Sequence, residues 1–299
     1  MKVTIKKAFW IIPALVLIFT SCPNPSGGNG GDNGETTPTI NINGMTVDGL
    51  KSAIETELTE NDNVTITGTM SDITDPLDLD IPVNKTVTWK ADYTGLGLND
   101  IDNQIALTGA GNFIIADGGK IESSAERIID LRNDFTGTFI VETGGSIIKG
   151  VLSLGIARCI DVLKGGTVIV RGGTIEATSF AILTVINSNA RVFIESGNIS
   201  SSSGNTTMII NGNSTLSISS GTITNASTGA AVAVNSDAKV YVTGSPVIGN
   251  DKIERFASAD EGYYTGDHLA KFNTTAGNIF TVNENLSALT EPPDWAVLE

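Results

Sequence analysis

The stretch RVFIESGNISSSSGNTTMIINGNSTLSISSGTITNASTGAAVAVNSDAKVYVTGSPVIGN, residues 191–250, repeats itself every 24 residues. Val192-Phe193-Ile194 returns as Leu216-Ser217-Ile218 and again as Val240-Tyr241-Val242. Each triplet leads through a tight turn into a second short apolar pair, at Gly197-Asn198-Ile199, Gly221-Thr222-Ile223 and Ser245-Pro246-Val247. A third strand-like run ends at Ile186, Ile210 and Val234, and an asparagine follows each time: Asn187, Asn211 and Asn235. A fixed period in this range marks a stacked repeat in which each unit buries its apolar side against the next. Three short strands with corners between them predict an all-β fold, a triangular parallel β-helix or solenoid. Its neighbouring coils would lie about 4.8 Å apart.

The repeat extends backwards with looser spacing. Phe113-Ile114-Ile115, Phe139-Ile140-Val141 and Val168-Ile169-Val170 are further triplets, and Gly119, Gly145, Gly173, Gly197 and Gly221 form one column at spacings of 26, 28, 24 and 24. Insertions at corners produce that variation. Earlier runs at Val64–Thr67, Leu77–Ile81, Thr86–Trp89 and Ile105–Leu107 are read as strands of less certain register. An antiparallel sandwich would also supply many short strands. It would not need a constant register, and no Asn-Gly hairpin signal recurs between the strands of each repeat: Asn211-Gly212 has Asn187-Ser188 and Asn235-Ser236 as its counterparts. The three asparagines are read as a structural ladder, their amides bonding from coil to coil as in other in-register strand stacks.

Composition agrees. The chain is 40% hydrophobic but 6% aromatic, with 33 glycines, which favours short strands and tight corners over helices. Its formal charge is −15, and −18 once Lys2, Lys6 and Lys7 are set aside with the leader. Such a surface repels phosphate backbones, so nucleic acid is not an expected partner. Cys22, Cys159 and a lone His268 supply neither a staple nor a metal-ligand set, and no cofactor is expected.

The organisation predicted is residues 1–21 as a leader, 22–43 as a tether, 44–250 as the β-helix with its N-terminal helix, and 251–299 as a closing cap and loose tail at Glu291-Pro292-Pro293. Lys2, Lys6 and Lys7 precede an apolar run, Ala8 to Phe19, too short for a comfortable membrane span, and Thr20-Ser21-Cys22 follows. This resembles a bacterial lipoprotein signal peptide. Phe19, three before the cysteine, fits the relaxed lipobox of spirochaetal lipoproteins better than the strict one. The resemblance implies cleavage before Cys22, acylation of its sulfur, and a cell-envelope address at the outer membrane or cell surface. A plain secretory signal with an incidental cysteine is the alternative. Pro23 to Pro38 has almost nothing to bury and reads as the flexible tether.

Thr46 to Glu60 is the one good helix candidate, with Val47, Leu50, Ile54 and Leu58 on one face. An amphipathic helix feeding a strand stack resembles the N-terminal cap of right-handed parallel β-helices of the pectate-lyase-like type. That resemblance raises the question of an enzyme on acidic polysaccharide. The Asp-Asp, Gly-His-Gly and Arg-Ile-Lys motifs of the polygalacturonase-type members are absent from the chain. The best candidate cluster is Arg127-Ile128-Ile129-Asp130 against Arg158-Cys159-Ile160-Asp161, which match residue for residue in consecutive coils. Stacking would place the aspartates about 5 Å apart and the arginines likewise. Such a pair either binds a small sugar or calcium, or forms solvated salt bridges. Asp72, Asp75, Asp78 and Asp80 lack an EF-hand pattern and read as alternating or loop charges. Cys159 reads as an inert thiol, and Trp89 and Tyr241 as isolated core or cap aromatics.

The expected function is therefore a membrane-anchored lipoprotein displaying a non-catalytic binding or adhesion surface for glycan, host or envelope components. A polysaccharide lyase or glycoside hydrolase is the alternative, resting on fold resemblance alone.

Overall fold

Alternation of apolar and polar residues buries one side of each short strand, while the unpaired backbone of one coil is satisfied by the next. In a computed structural model, the chain winds into a parallel β-solenoid of about eight turns with one α-helix. The structure describes residues 37–96, 103–150, 158–178, 183–185, 189–202, 206–255, 261–264, 268, 271–274, 281–283 and 291–298. The leader, Cys22 and Asn187 lie outside the described residues.

Each coil contributes to three faces. The first face stacks Asn63–Thr67, Thr86–Trp89, Asn112–Ile115, Thr138–Val141 and their successors up to Thr281–Asn283. The second stacks Thr69–Ile73 through Thr222–Asn225 to Val247–Ile248, and the third is a nine-stranded sheet from Leu77–Ile81 to Phe272–Thr274. Strands Thr167–Ala177 and Arg191–Ser201 each run round the corner from first face to second, with register shifts on either side of Arg171, and so join those two faces into one sheet. The 24-residue register is as the sequence implies: Val192 pairs with Leu216, and Leu216 with Val240.

The helix Val47–Glu60 starts at Thr46, whose hydroxyl accepts from the Gly49 N–H at 3.1 Å. Its buried residues are Val47, Leu50, Ile54 and Leu58, the face read from the sequence. These join a single core cluster with the inward residues of the coils. Trp89, Phe113 and Phe139 stack within that core at ring separations of 5.7 and 5.8 Å.

Two boundaries differ from expectation. Thr39–Asn41, assigned to the tether, is a strand paired with Thr65–Thr67. Pairing also continues beyond Asn250: Lys239 pairs with Glu261 and Glu261 with Thr281 on the first face, and Ile253 with Phe272 on the third. The coils there shorten to 22 and then 20 residues, which hides them from a search at 24.

The glycine column has a steric cause. At Gly173 φ is +71°, and a Cβ would sit 2.4 Å from the Gly145 carbonyl oxygen of the preceding coil. Gly173→Ala is therefore expected to destabilise the stack by about 1–3 kcal/mol in urea denaturation. An unchanged midpoint would show that the corner relaxes freely.

Candidate functional site

The arginine–aspartate column lies on the third face. Arg127 pairs with Arg158 and Asp130 with Asp161, so the predicted juxtaposition is present. Leu77, Ile105, Ile129 and Ile160 form the inward column of this face, and the aspartates fall on the opposite, outward phase. They are nevertheless 4% and 0% exposed, so the expected solvated pair is a buried one. Asp161 Oδ2 accepts from Arg158 Nη1 at 2.8 Å, and Arg127 Nε from the preceding coil lies equally close. The latter contact is an ion pair without hydrogen-bond alignment, since Arg127 Nε has no acceptor in line. Asp130 Oδ2 accepts from Asn103 Nδ2 at 3.2 Å, with Arg132 Nε at 3.8 Å. Asp78, an alternating charge on the strand Leu77–Ile81, lies 3.2 Å from Arg132 Nη2.

Burial pushes the Asp161 carboxyl above its ordinary value, and the pull of Arg158 and Arg127 only partly offsets this. Each aspartate has one buried oxygen, Oδ1, without a hydrogen-bond partner. The cluster thus consumes its own charges. Both carboxylates are withdrawn from solvent, where an acid or base would have to meet its substrate.

A second polar feature lies inside the corner between the second and third faces. Ser123 Oγ donates to Gln104 Oε1 at 2.8 Å and accepts from Ala125 N–H at 3.0 Å. Lys149, stacked on Ser123, donates from Nζ to the Ala125 carbonyl. Lys149 is 1% exposed, and burial lowers its ammonium to about 8, with Cys159 and Glu126 opposing the shift. Cys159 is fully buried and its thiol is pushed up by burial, in keeping with an inert residue. The sequence carried a signal for Lys149: in Ser146-Ile147-Ile148-Lys149 it shares the inward phase of Ile147.

Outside this corner a groove of about 390 Å³ crosses several coils. Its outward wall stacks Ile148, Glu176, Ser200 and Thr224 in register. Thr178 and Ser202 line the same groove, and Ser202 Oγ donates to the Thr178 carbonyl at 3.1 Å.

A third feature was not foreseen. Residues 291–298, expected to be a loose tail, pack back on the outward side of the first face. Trp295 meets the rings of Tyr241 and Tyr263 at 6.3 and 6.0 Å. Leu298 packs on an outward apolar cluster of Ile140, Ile169 and Phe193. Arg191 Nη2 donates to the Val297 carbonyl, with its guanidinium 5.1 Å from the Phe193 ring centre. A cavity of about 260 Å³ remains between this segment and the sheet. Tyr241 is thus no isolated aromatic, whereas Trp89 is a fully buried core residue.

Asn211 and Asn235 occupy matching corners after Thr206–Ile210 and Ala230–Val234. The backbone N–H of Asn235 donates to the Ile210 carbonyl at 2.9 Å. Its Oδ1 is buried without a hydrogen-bond partner, so the backbone carries the register at this corner. Among the described residues, no group of three His, Cys, Asp or Glu side chains is placed to hold a metal ion.

The chain matches no protein-family model, no curated protein and no solved structure. Its function must be argued from these sites.

Proposed function

We propose that the protein is a lipid-anchored cell-envelope protein whose solenoid is a non-catalytic binding surface for glycan or other envelope components. In this reading residues 1–21 are removed, Cys22 is acylated, and the following stretch holds the solenoid away from the membrane. More than one acyl chain gives firm anchoring, at about 0.8 kcal/mol per buried methylene. The solenoid is taken as right-handed and of the pectate-lyase-like type. The helix Val47–Glu60 then covers the apolar end and strand edges of the first coil.

The observation that carries the non-catalytic reading is the burial of Asp130 and Asp161 among Arg127, Arg158, Arg132 and Asn103. General acid–base work needs a carboxylate within reach of substrate, and these two are spent on the stack. The groove on the second face, lined by Thr178, Ser200, Ser202 and Thr224 together with Lys149 and Glu176, offers hydroxyls at strand spacing to a polyhydroxyl ligand.

The test uses the full chain with its leader, expressed in a bacterial host and labelled with palmitate. Wild type should be labelled and sediment with membranes, whereas Cys22→Ala should lose both properties. Solubilised protein should retain glycans on an array and release no products from polyuronates. Label on the Cys22→Ala chain would refute the anchor, and polyuronate breakdown would refute the non-catalytic assignment.

A further inference from the structure

The outward column of the first face reads Thr65, Thr88, Ile114, Ile140, Ile169, Phe193, Ser217, Tyr241, Tyr263, Asn283 in consecutive coils. Between Ile114 and Tyr263 every position but one carries a large apolar or aromatic side chain. Ser217 is the missing rung, with its neighbours Leu216 and Ile218 pointing into the main core. Ser217 is only 8% exposed, and Pro292 and Ala296 to Leu298 line the other side of the gap. Phe193, Ser217 and Tyr241 all line the 260 Å³ cavity beneath that segment.

We propose that this gap is a binding slot for one neutral pyranose ring, held between the side chains of Phe193 and Tyr241. The proposal rests on the glycan-binding reading above and gives it a place and a ligand class. Phe193 and Tyr241 stand two coils apart, about 10 Å at the normal strand spacing. Of the rings stacked in the core, Phe113 and Phe139 are nearly parallel at an interplanar angle of 8°, and Trp89 and Phe113 are 29° apart. A flat ring between two such walls fills about 7–8 Å, at one carbon contact on each side. A chair-shaped sugar is thicker and fills more of the gap. Its axial C–H bonds present positive edges to the negative faces of the aromatic rings.

The remaining wall matches a sugar's hydroxyl groups. Ser217, Ser219 and Thr243 supply hydroxyls, and Glu195 supplies a carboxylate acceptor. No lysine or arginine is among the residues lining the cavity. The nearby Arg191 is engaged with the Val297 carbonyl and the Phe193 ring, and Arg171 with Glu195 at 3.1 Å. With a net charge of −15 on the chain, the slot favours a neutral sugar over a uronate or a sugar phosphate. At about 260 Å³ the cavity lies below the usual range for drug-sized ligands, as a single ring requires.

The test is saturation-transfer NMR and calorimetry on the full solubilised chain, with the methyl glycosides of glucose, galactose and mannose, glucuronate, and indole as a flat competitor. At least one neutral glycoside should bind more tightly than glucuronate or indole. Ser217→Phe supplies the missing rung, and Ser217→Ile repeats the residue found at three earlier rungs. Both should weaken glycoside binding at least tenfold while leaving the melting temperature unchanged or higher. A melting temperature that falls for Ser217→Phe would be checked against Ser217→Ile, whose smaller side chain the column already accepts. Wild-type affinity in both variants, or preference for glucuronate or indole, overturns the slot. If the variants keep wild-type affinity for glycosides and for array glycans alike, glycan binding stands and the slot falls. If wild type binds no glycan of any size, both fall.

Discussion

Lys149→Met is expected to stabilise the solenoid by about 3 kcal/mol at pH 7, and the gain should vanish near pH 10. The cause is a charge kept inside the stack. Lys149 is 1% exposed and its ammonium donates to the Ala125 carbonyl. Among the described residues no carboxylate lies at ion-pair distance from it. Burial therefore dominates and lowers the group from 10.5 to about 8. Below pH 8 both folded and unfolded chains carry the proton, and the cost of burying the charge is complete. Between pH 8 and 10.5 the unfolded chain holds more protons than the folded one, so wild-type stability rises with pH. Methionine matches the length of the side chain without the charge, so the variant lacks that slope. Urea denaturation of both chains at pH 7 and pH 10 measures the difference. Equal midpoints at pH 7 would mean that the ammonium reaches water.

The second large effect is at Asp161. Asp161→Ala is expected to cost about 3–5 kcal/mol, because it leaves two guanidinium groups beside a vacated, dry position. Arg158 and Arg127 each lie 2.8 Å from Asp161 Oδ2. Asp130→Ala should cost less, about 1–2 kcal/mol, since its partners are an amide at 3.2 Å and a more distant Arg132. The pH dependence has a definite sign. The folded-state value of Asp161 is raised above 3.8, so its contribution is fully present below 3.8 and is lost as pH rises through the folded value. Wild type should therefore gain stability relative to Asp161→Asn as the solution is acidified through that window. Loss of wild-type stability relative to Asp161→Asn on acidification would mean that the arginines outweigh burial.

Much of the fold was legible because a solenoid writes its architecture as a period. The register of Arg127 on Arg158 and Asp130 on Asp161 follows from aligning two four-residue runs, and it is the pairing observed. Burial of those aspartates was not legible. Strand alternation puts them on the outward side, and their shielding comes from Arg158 and Arg132 in their own coils and from Arg127 and Asn103 one coil away. The packing of residues 291–298 was hidden for a related reason. Glu291-Pro292-Pro293 reads as a loose end, while Trp295 finds Tyr241 and Leu298 finds Phe193 only after the chain has wound past them. Ser217 shows the same limit. The repeat already aligns it with Phe193 and Tyr241, but it becomes a lined gap only once Pro292 and Ala296 to Leu298 are found packed against that column.

The pairing distances have a consequence for how the molecule is assembled. From Thr138–Thr167 to Glu261–Thr281 on the first face, each residue meets its partner between 29 and 20 positions further along the chain. The entropy lost in closing a loop grows only with the logarithm of its length, so every coil closes at nearly the same cost as the one before. Nucleation at any well-formed coil can then propagate by equal steps, each new turn templated by the exposed edge of the last. The shortening coils at the far end make the final closures slightly cheaper than the first. A growing edge of this kind never waits for a distant part of the chain to arrive.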